Sequence, residues 1–226
     1  MKKTVCLLLL LSLPFLYGCG TNGDVKGRDF EISSVLKNDI DLVSETHQKI
    51  VRNALINLAE KLYKRNPDQW KKGGYQNRQE ALDVLKQYPY PEIDGKSSIA
   101  CIWLTFDESY QGDRVKAFIA GLSTMIMQAY DNHESFYLHN MLEAQKLYDS
   151  ARNLELASWL LRTKRNSSGR LFLLSSGGSE EINLSFERLF GKMINAQDML
   201  AQIMADRSHR QIKNTLQAIA TAFIPI

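Results

Sequence analysis

The chain has 226 residues, 44% of them hydrophobic, and a formal net charge of +3. That length allows one domain with a buried core, and the weak charge argues against a nucleic-acid partner or a strongly acidic one. Two of the positive charges, Lys2 and Lys3, stand at the extreme N-terminus, so the chain beyond residue 18 is near +1.

After these lysines, Val5 to Phe15 is an apolar run interrupted only by Cys6, Ser12 and Pro14. A positive start, a short apolar stretch and a small residue before a cut describe a secretory signal. The run is shorter than the roughly 20 apolar residues of a membrane span. Leu16-Tyr17-Gly18-Cys19 follows. It resembles the lipobox of bacterial lipoproteins, with an apolar residue at the third place before an essential Cys and a small one directly before it. The resemblance implies a signal peptide over residues 1–18, a diacylglyceryl thioether on Cys19, cleavage, and acylation (a palmitate) of the new amino group. One acyl chain holds a protein to a membrane only marginally, and each buried methylene adds about 0.8 kcal/mol, so two or more chains anchor it. Gly20 stands where, in that class, Asp favours the inner membrane. The resemblance therefore implies an outer-membrane location, with the domain facing the periplasm. Of the cysteines, Cys6 falls in the signal and Cys19 carries lipid, which leaves Cys101 without an intramolecular disulfide partner.

Residues 19–38 are polar, contain glycine and show little periodicity, which predicts a lipidated tether about 25 Å across on average. Helical patterning then dominates over 39–226. Val51, Leu55, Leu58 and Leu62 share one helix face, and Asn66-Pro67 ends that helix. Asn77 and Glu80 resemble a capping box opening a helix to about Gln87, stopped by Tyr88-Pro89-Tyr90-Pro91. Ile99 to Phe106 fits a strand or a buried helix equally well. Val115, Ile119, Leu122, Ile126 and Ala129 form a second stripe. Leu147, Ala151, Leu154 and Leu161 form a third, in a helix ending near Lys164-Arg165. Leu171 to Leu174 reads as a possible short strand or extended segment. Leu189, Met193, Ala196, Leu200 and Ile203 form a fourth stripe, and Ile212, Leu216, Ile219 and Phe223 a last one behind a cap candidate at Ser208 and Gln211. The fold class is thus mainly α, a single bundle-like domain of five to seven helices with room for one short strand or hairpin.

Three stretches, Lys61 to Pro67, Leu147 to Glu155 and Asn183 to Lys192, resemble lipoproteins of Gram-negative bacteria with no established activity. That resemblance implies no catalytic residue and no cofactor.

Candidate sites are few. Glu155, Glu187 and Arg188, with Asn153 nearby, lie in apolar helical stretches where a charge needs a partner if buried. An Arg–Glu pair fixing the bundle's register is the structural reading, and a polar cleft the functional one. His133, Glu134 and His139 lack the i, i+4 spacing of helical zinc ligands, so no metal is expected. His47 and His209 are isolated. Asp107 and Glu108 are neighbours in sequence and so diverge, which a general acid–base pair must not do. Cys101 lies in an apolar run, where a thiol is inert. No Gly-x-Ser-x-Gly elbow, phosphate loop or dinucleotide fingerprint occurs. Basic groups cluster at Arg162, Lys164, Arg165 and Arg170, and again at Arg207, His209, Arg210 and Lys213. Both suit a solvated face better than a binding site for anionic headgroups. The C-terminal Thr221 to Ile226 is apolar and predicts docking on the core or on a partner.

These observations favour a membrane-anchored, non-catalytic accessory or scaffold protein of the cell envelope, with an envelope protein as partner. A lipid or hydrophobic-ligand binder is the second expectation, because Met125, Met127, Met141, Met193, Met199 and Met204 would suit an adaptable lining. An envelope enzyme acting on peptidoglycan or lipid is the third.

Overall fold

In the computed structural model the described residues are 37–88, 90, 92–137, 142–176 and 184–208. They contain seven helices: α1 Asp39–Arg65, α2 Pro67–Lys72, α3 Arg78–Lys86, α4 Ser98–Thr105, α5 Arg114–Ala129, α6 Ala144–Thr163 and α7 Ser185–Ser208. The mainly α class expected from the apolar stripes is the class observed.

Local chemistry sets the ends of α1. Asn38 Oδ1 accepts from the Asp41 amide at 2.9 Å, and the Asp41 carboxylate accepts from the Asn38 amide at 2.9 Å. This reciprocal box satisfies two donors that the helix leaves open. At the other end Asn66 caps the helix, its side-chain amide donating to Leu62 O at 2.8 Å. Pro67 does more than stop α1. Its fixed φ and missing N–H suit the first helical position, and α2 starts there.

The box expected at Asn77 is half formed. Asn77 Oδ1 accepts from the Glu80 amide at 3.0 Å, but the Glu80 carboxylate takes the Gln76 amide, at 2.7 Å, one residue upstream. The ambiguous segment around Trp103 is helix α4. Its Cys101, Ile102, Leu104 and Thr105 are all buried, so the face pattern carries no period to read. It lies against α5 at Gly121, where a Cβ would come within 2.7 Å of the Ile102 amide nitrogen and 2.9 Å of Ser98 O. Only hydrogen fits at that crossing.

Of the strand or extended segment expected over Leu171 to Leu174, no strand forms. Arg165 and Leu171 form a single isolated bridge closing a turn. Asn166 Oδ1 builds the turn by accepting from the Ser168 and Arg170 amides at 3.1 and 2.9 Å. The apolar run is instead tied to the end of α1. Asn66 Oδ1 accepts from the Leu174 amide at 2.8 Å and its Nδ2 donates to Leu174 O at 2.9 Å. The lone side-chain amide of Asn66 thus replaces the second strand.

Helix α1 packs on α7 and α5, α6 packs on α7, and α4 on α5. Leu55, Leu58, Leu62, Phe118, Leu122, Leu154 and Met193 meet in the core, each almost fully buried. Each such side chain contributes about 1.5–3 kcal/mol relative to exposure. The core also holds a polar bridge. Tyr130 OH donates to Gln197 Oε1 at 2.7 Å, and Gln197 Nε2 donates to Ser150 Oγ at 3.0 Å. Gln197 is fully buried and links the end of α5 to α6 and α7, fixing how the three slide.

No helix among the described residues is long and apolar enough to cross a membrane. The expected location in the outer membrane, facing the periplasm and held by palmitate, is corrected on that finding. It rested on Cys19 and Gly20, which lie outside the described residues together with the whole signal segment. The cap candidate at Gln211, the last apolar stripe and the C-terminal Thr221 to Ile226 also lie outside them, as do His139, Met141, His209, Arg210 and Lys213.

Candidate functional site

Helices α6 and α7 carry the three charged residues singled out in the sequence, and they do not converge. Glu155 pairs with Arg152, one turn before it on α6, at 3.1 Å. Arg152 also reaches across to Asp198 on α7 at 2.6 Å and lies over the Tyr148 ring, 4.9 Å from its centroid. Burial raises both the Glu155 and the Asp198 carboxyl above the ordinary range, against the pull of Arg152. Glu187 accepts from Ser176 Oγ and stands 4.0 Å from Arg162 Nε. Arg188 is exposed. The interhelix clamp therefore uses Arg152 and Asp198, and neither half of the expected register pair meets the other. Asn153 is buried within α6.

A second polar cluster holds the loop between α4 and α5. Asp113 caps α5, its Oδ1 accepting from the Lys116 amide at 2.9 Å. Its Oδ2 accepts from Tyr63 OH at 2.7 Å, which ties the cap to α1. Burial pushes the Asp113 carboxyl up, and pushes the Tyr63 phenol far above its usual range. Next in sequence, the Arg114 guanidinium donates to Thr105 O, Asp107 O and Tyr110 O at 2.6, 2.7 and 2.6 Å. It packs over the Phe172 ring at 5.0 Å. Gln69 of α2 accepts from the Arg114 amide at 2.9 Å. The Tyr63 hydroxyl and the Arg114 guanidinium are engaged with a neighbouring carboxylate and with backbone carbonyls, so their chemistry is that of a clamp: it closes a loop and joins α1, α2 and α5.

The remaining candidates separate. Cys101 is buried, its thiol donating to Ala117 O at 3.2 Å, and burial raises its pKa to about 12. A thiol held there is not a nucleophile near neutral pH. Asp107 turns back on the Ser109 hydroxyl and amide at 2.7 and 2.9 Å, and these bonds hold its carboxyl below the usual range. Glu108 points elsewhere, accepting from Ser167 Oγ at 2.8 Å. Glu134 pairs with Arg52 at 3.1 Å, while the His133 ring meets Phe136 edge-on. His47 Nδ1 lies 2.9 Å from Val43 O, within its own helix. Among the described residues no group of three or more His, Cys, Asp or Glu could hold a metal ion. In the first basic cluster, Arg165 donates to Gly169 O at 2.9 Å, and Lys164 and Arg170 are exposed. Arg207 of the second is exposed.

Asp113, Arg114, Gln69, Arg152, Asp198 and Gln197 escaped the sequence reading. Only Asp113 had a visible signal there, an acidic residue directly before an apolar helical stripe. No protein-family model matches the chain, and neither the curated proteins nor the solved structures contain a match.

Proposed function

We propose that this chain is a non-catalytic accessory or scaffold protein of the cell envelope, carrying lipid on Cys19 and acting through the surface of its helical domain. The observation that carries the lipid half is the run from Lys2 through the apolar Val5–Phe15 stretch to Leu16-Tyr17-Gly18-Cys19. The accessory half draws on how the polar groups are used. Asp113, Arg114, Arg152 and Gln197 each bridge one helix or loop to another. Side chains spent on register and loop closure build a rigid body that presents a surface. Met125, Met127, Met193 and Met204 are buried, so core filling is their use here, and the ligand-binder reading draws no support from them.

Labelling cells with radioactive glycerol tests the lipid half. The wild-type chain incorporates the label and Cys19→Ala does not. Equal labelling of both, or of neither, contradicts the proposal.

A further inference from the structure

Helices α6 and α7 run antiparallel, with Ser150 opposite Gln197, Arg152 opposite Asp198 and Arg162 opposite Glu187. The end of α6 and the start of α7 therefore lie at one end of the bundle. Part of the chain between them lies there too: Ser175 Oγ donates to Leu161 O at 3.5 Å, and Ser176 Oγ to the Glu187 carboxylate. Asn66 brings the end of α1 to the same place through Leu174. Helix α1 has 27 residues, so its acidic start at Asp39 and Asp41 is about 40 Å away.

Two kinds of side chain collect at this end. Arg162, Lys164, Arg165, Arg170, Arg188 and Lys192 are all exposed. In the sequence from Trp159 to Lys192 these six basic residues stand against three acids, Glu180, Glu181 and Glu187, so the stretch carries +3. Glu108 adds one acid from the loop between α4 and α5, where it accepts from Ser167 Oγ, and the basic groups remain in excess. The second kind is apolar. Five large hydrophobic side chains are exposed among the described residues, and three of them are here: Trp159 at 47%, Leu174 at 42% and Leu184 at 65%. Asn66 holds the Leu174 backbone by both its amide and its carbonyl, with Leu173 buried beside it, so the Leu174 side chain is left outside. Cations alone make a solvated face, but an indole and two leucines left in water among them mark a contact.

We infer that this end of the bundle rests on an anionic lipid bilayer. The six basic side chains meet headgroup phosphates, and each adds attraction close to the surface. Trp159, Leu174 and Leu184 enter the boundary between headgroups and acyl chains, where an indole, apolar with one polar edge, is favoured. Such a surface asks for charge and protruding apolar groups and needs no groove shaped to one partner. The separation of charge along α1 sets the orientation, with the basic end toward the lipid and Asp39 and Asp41 away from it. The contact is peripheral, since no helix among the described residues is long and apolar enough to cross. Residues 20–37 span at most about 60 Å, more than the length of α1, so a chain held at Cys19 can still lay this end on the surface. The face itself is built by residues 159–192 and needs no lipid on Cys19.

Tryptophan quenching on vesicles tests it. The full chain is returned from detergent to vesicles of phosphatidylcholine brominated in its acyl chains, with or without phosphatidylglycerol. Emission is quenched more on the anionic vesicles than on the neutral ones. That excess disappears in Trp159→Phe, which leaves Trp70 and Trp103 in place, and falls as salt is raised. Lys164→Glu combined with Arg188→Glu raises the anionic lipid needed for half-maximal quenching by about tenfold or more. The altered side chains are exposed, so the thermal midpoint of each variant stays at the wild-type value and separates lost contact from lost folding. Equal quenching on neutral and anionic vesicles, or an excess that survives Trp159→Phe, overturns the inference. Tryptophans that stay unquenched on anionic vesicles overturn it as well and give this end to an acidic protein. The mass of the chain reads the lipid on Cys19 and the quenching reads this face, so the two readings fail separately.

Discussion

Replacing Gln197 with Leu removes the middle of the buried bridge and leaves the Tyr130 and Ser150 hydroxyls facing each other without a partner. Both hydroxyl residues are fully buried, as is Gln197. An orphaned buried group costs about 1–3 kcal/mol, so two of them cost roughly 2–5 kcal/mol after some relaxation. That is a large share of the 5–15 kcal/mol that holds an ordinary domain together. Tyr130→Phe alone orphans one acceptor, Gln197 Oε1, and should cost about 1–3 kcal/mol. The triple variant Tyr130→Phe, Ser150→Ala, Gln197→Leu removes every polar atom of the bridge at once. It should lie well above the sum of the single losses, because no group is left unpaired. Urea unfolding followed by far-ultraviolet circular dichroism reads all of these on one scale. Strict additivity, with the triple variant as unstable as the summed singles, would refute the claim that the three side chains act as a unit.

Three further outcomes follow from the same contacts. Asp113→Asn keeps one oxygen to accept from the Lys116 amide, puts an NH2 donor where Oδ2 accepts from Tyr63 OH so that the phenol must turn to accept, and is never charged. Because burial raises the Asp113 pKa in the fold, the wild type gains from this group below the ordinary value of 3.8 and loses that gain as pH rises through the raised folded value. The stability gap between variant and wild type should therefore move in the variant's favour from pH 4 to pH 7, and a gap independent of pH would contradict the burial argument. Gly121→Ala should destabilise by about 1–3 kcal/mol or more, since its methyl meets the α4 backbone, and an unchanged thermal midpoint would mean that the crossing has slack. Native-state alkylation read at the Cys101 peptide should be slow at pH 8 and rise steeply only in denaturant. Rapid native labelling would show that the thiol is neither buried nor held above neutral pH.

Periodicity made the large helices legible, because a helix that buries one face repeats its apolar residues at 3.6. The stripe through Val51 and Leu62 falls in α1, and those through Val115, Leu147 and Leu189 fall in α5, α6 and α7. The method had nothing to read in α4, whose apolar residues go all the way round, or in α2, whose six residues are too short for a period. Leu171 to Leu174 could not be resolved between strand and extended segment because an apolar run can be held by one side-chain amide as well as by a neighbouring strand, and Asn66 lies 108 residues away. The same separation hid the polar clusters. Asp113 finds Tyr63 across 50 residues and Arg152 finds Asp198 across 46, distances at which spacing carries no information. Glu155 and Arg188 were reasonable candidates by the apolar helical stretches around them, but Arg152 and Asp198 form the clamp.

The proposed role begins with lipid on Cys19, and intact-mass spectrometry of the chain purified from its own cells in detergent tests that claim most directly. A mass lacking residues 1–18 and heavier than the remaining polypeptide by a diacylglyceryl group on Cys19 is the expected result. A chain that retains those residues, or one that lacks them but carries no added mass on Cys19, would contradict it.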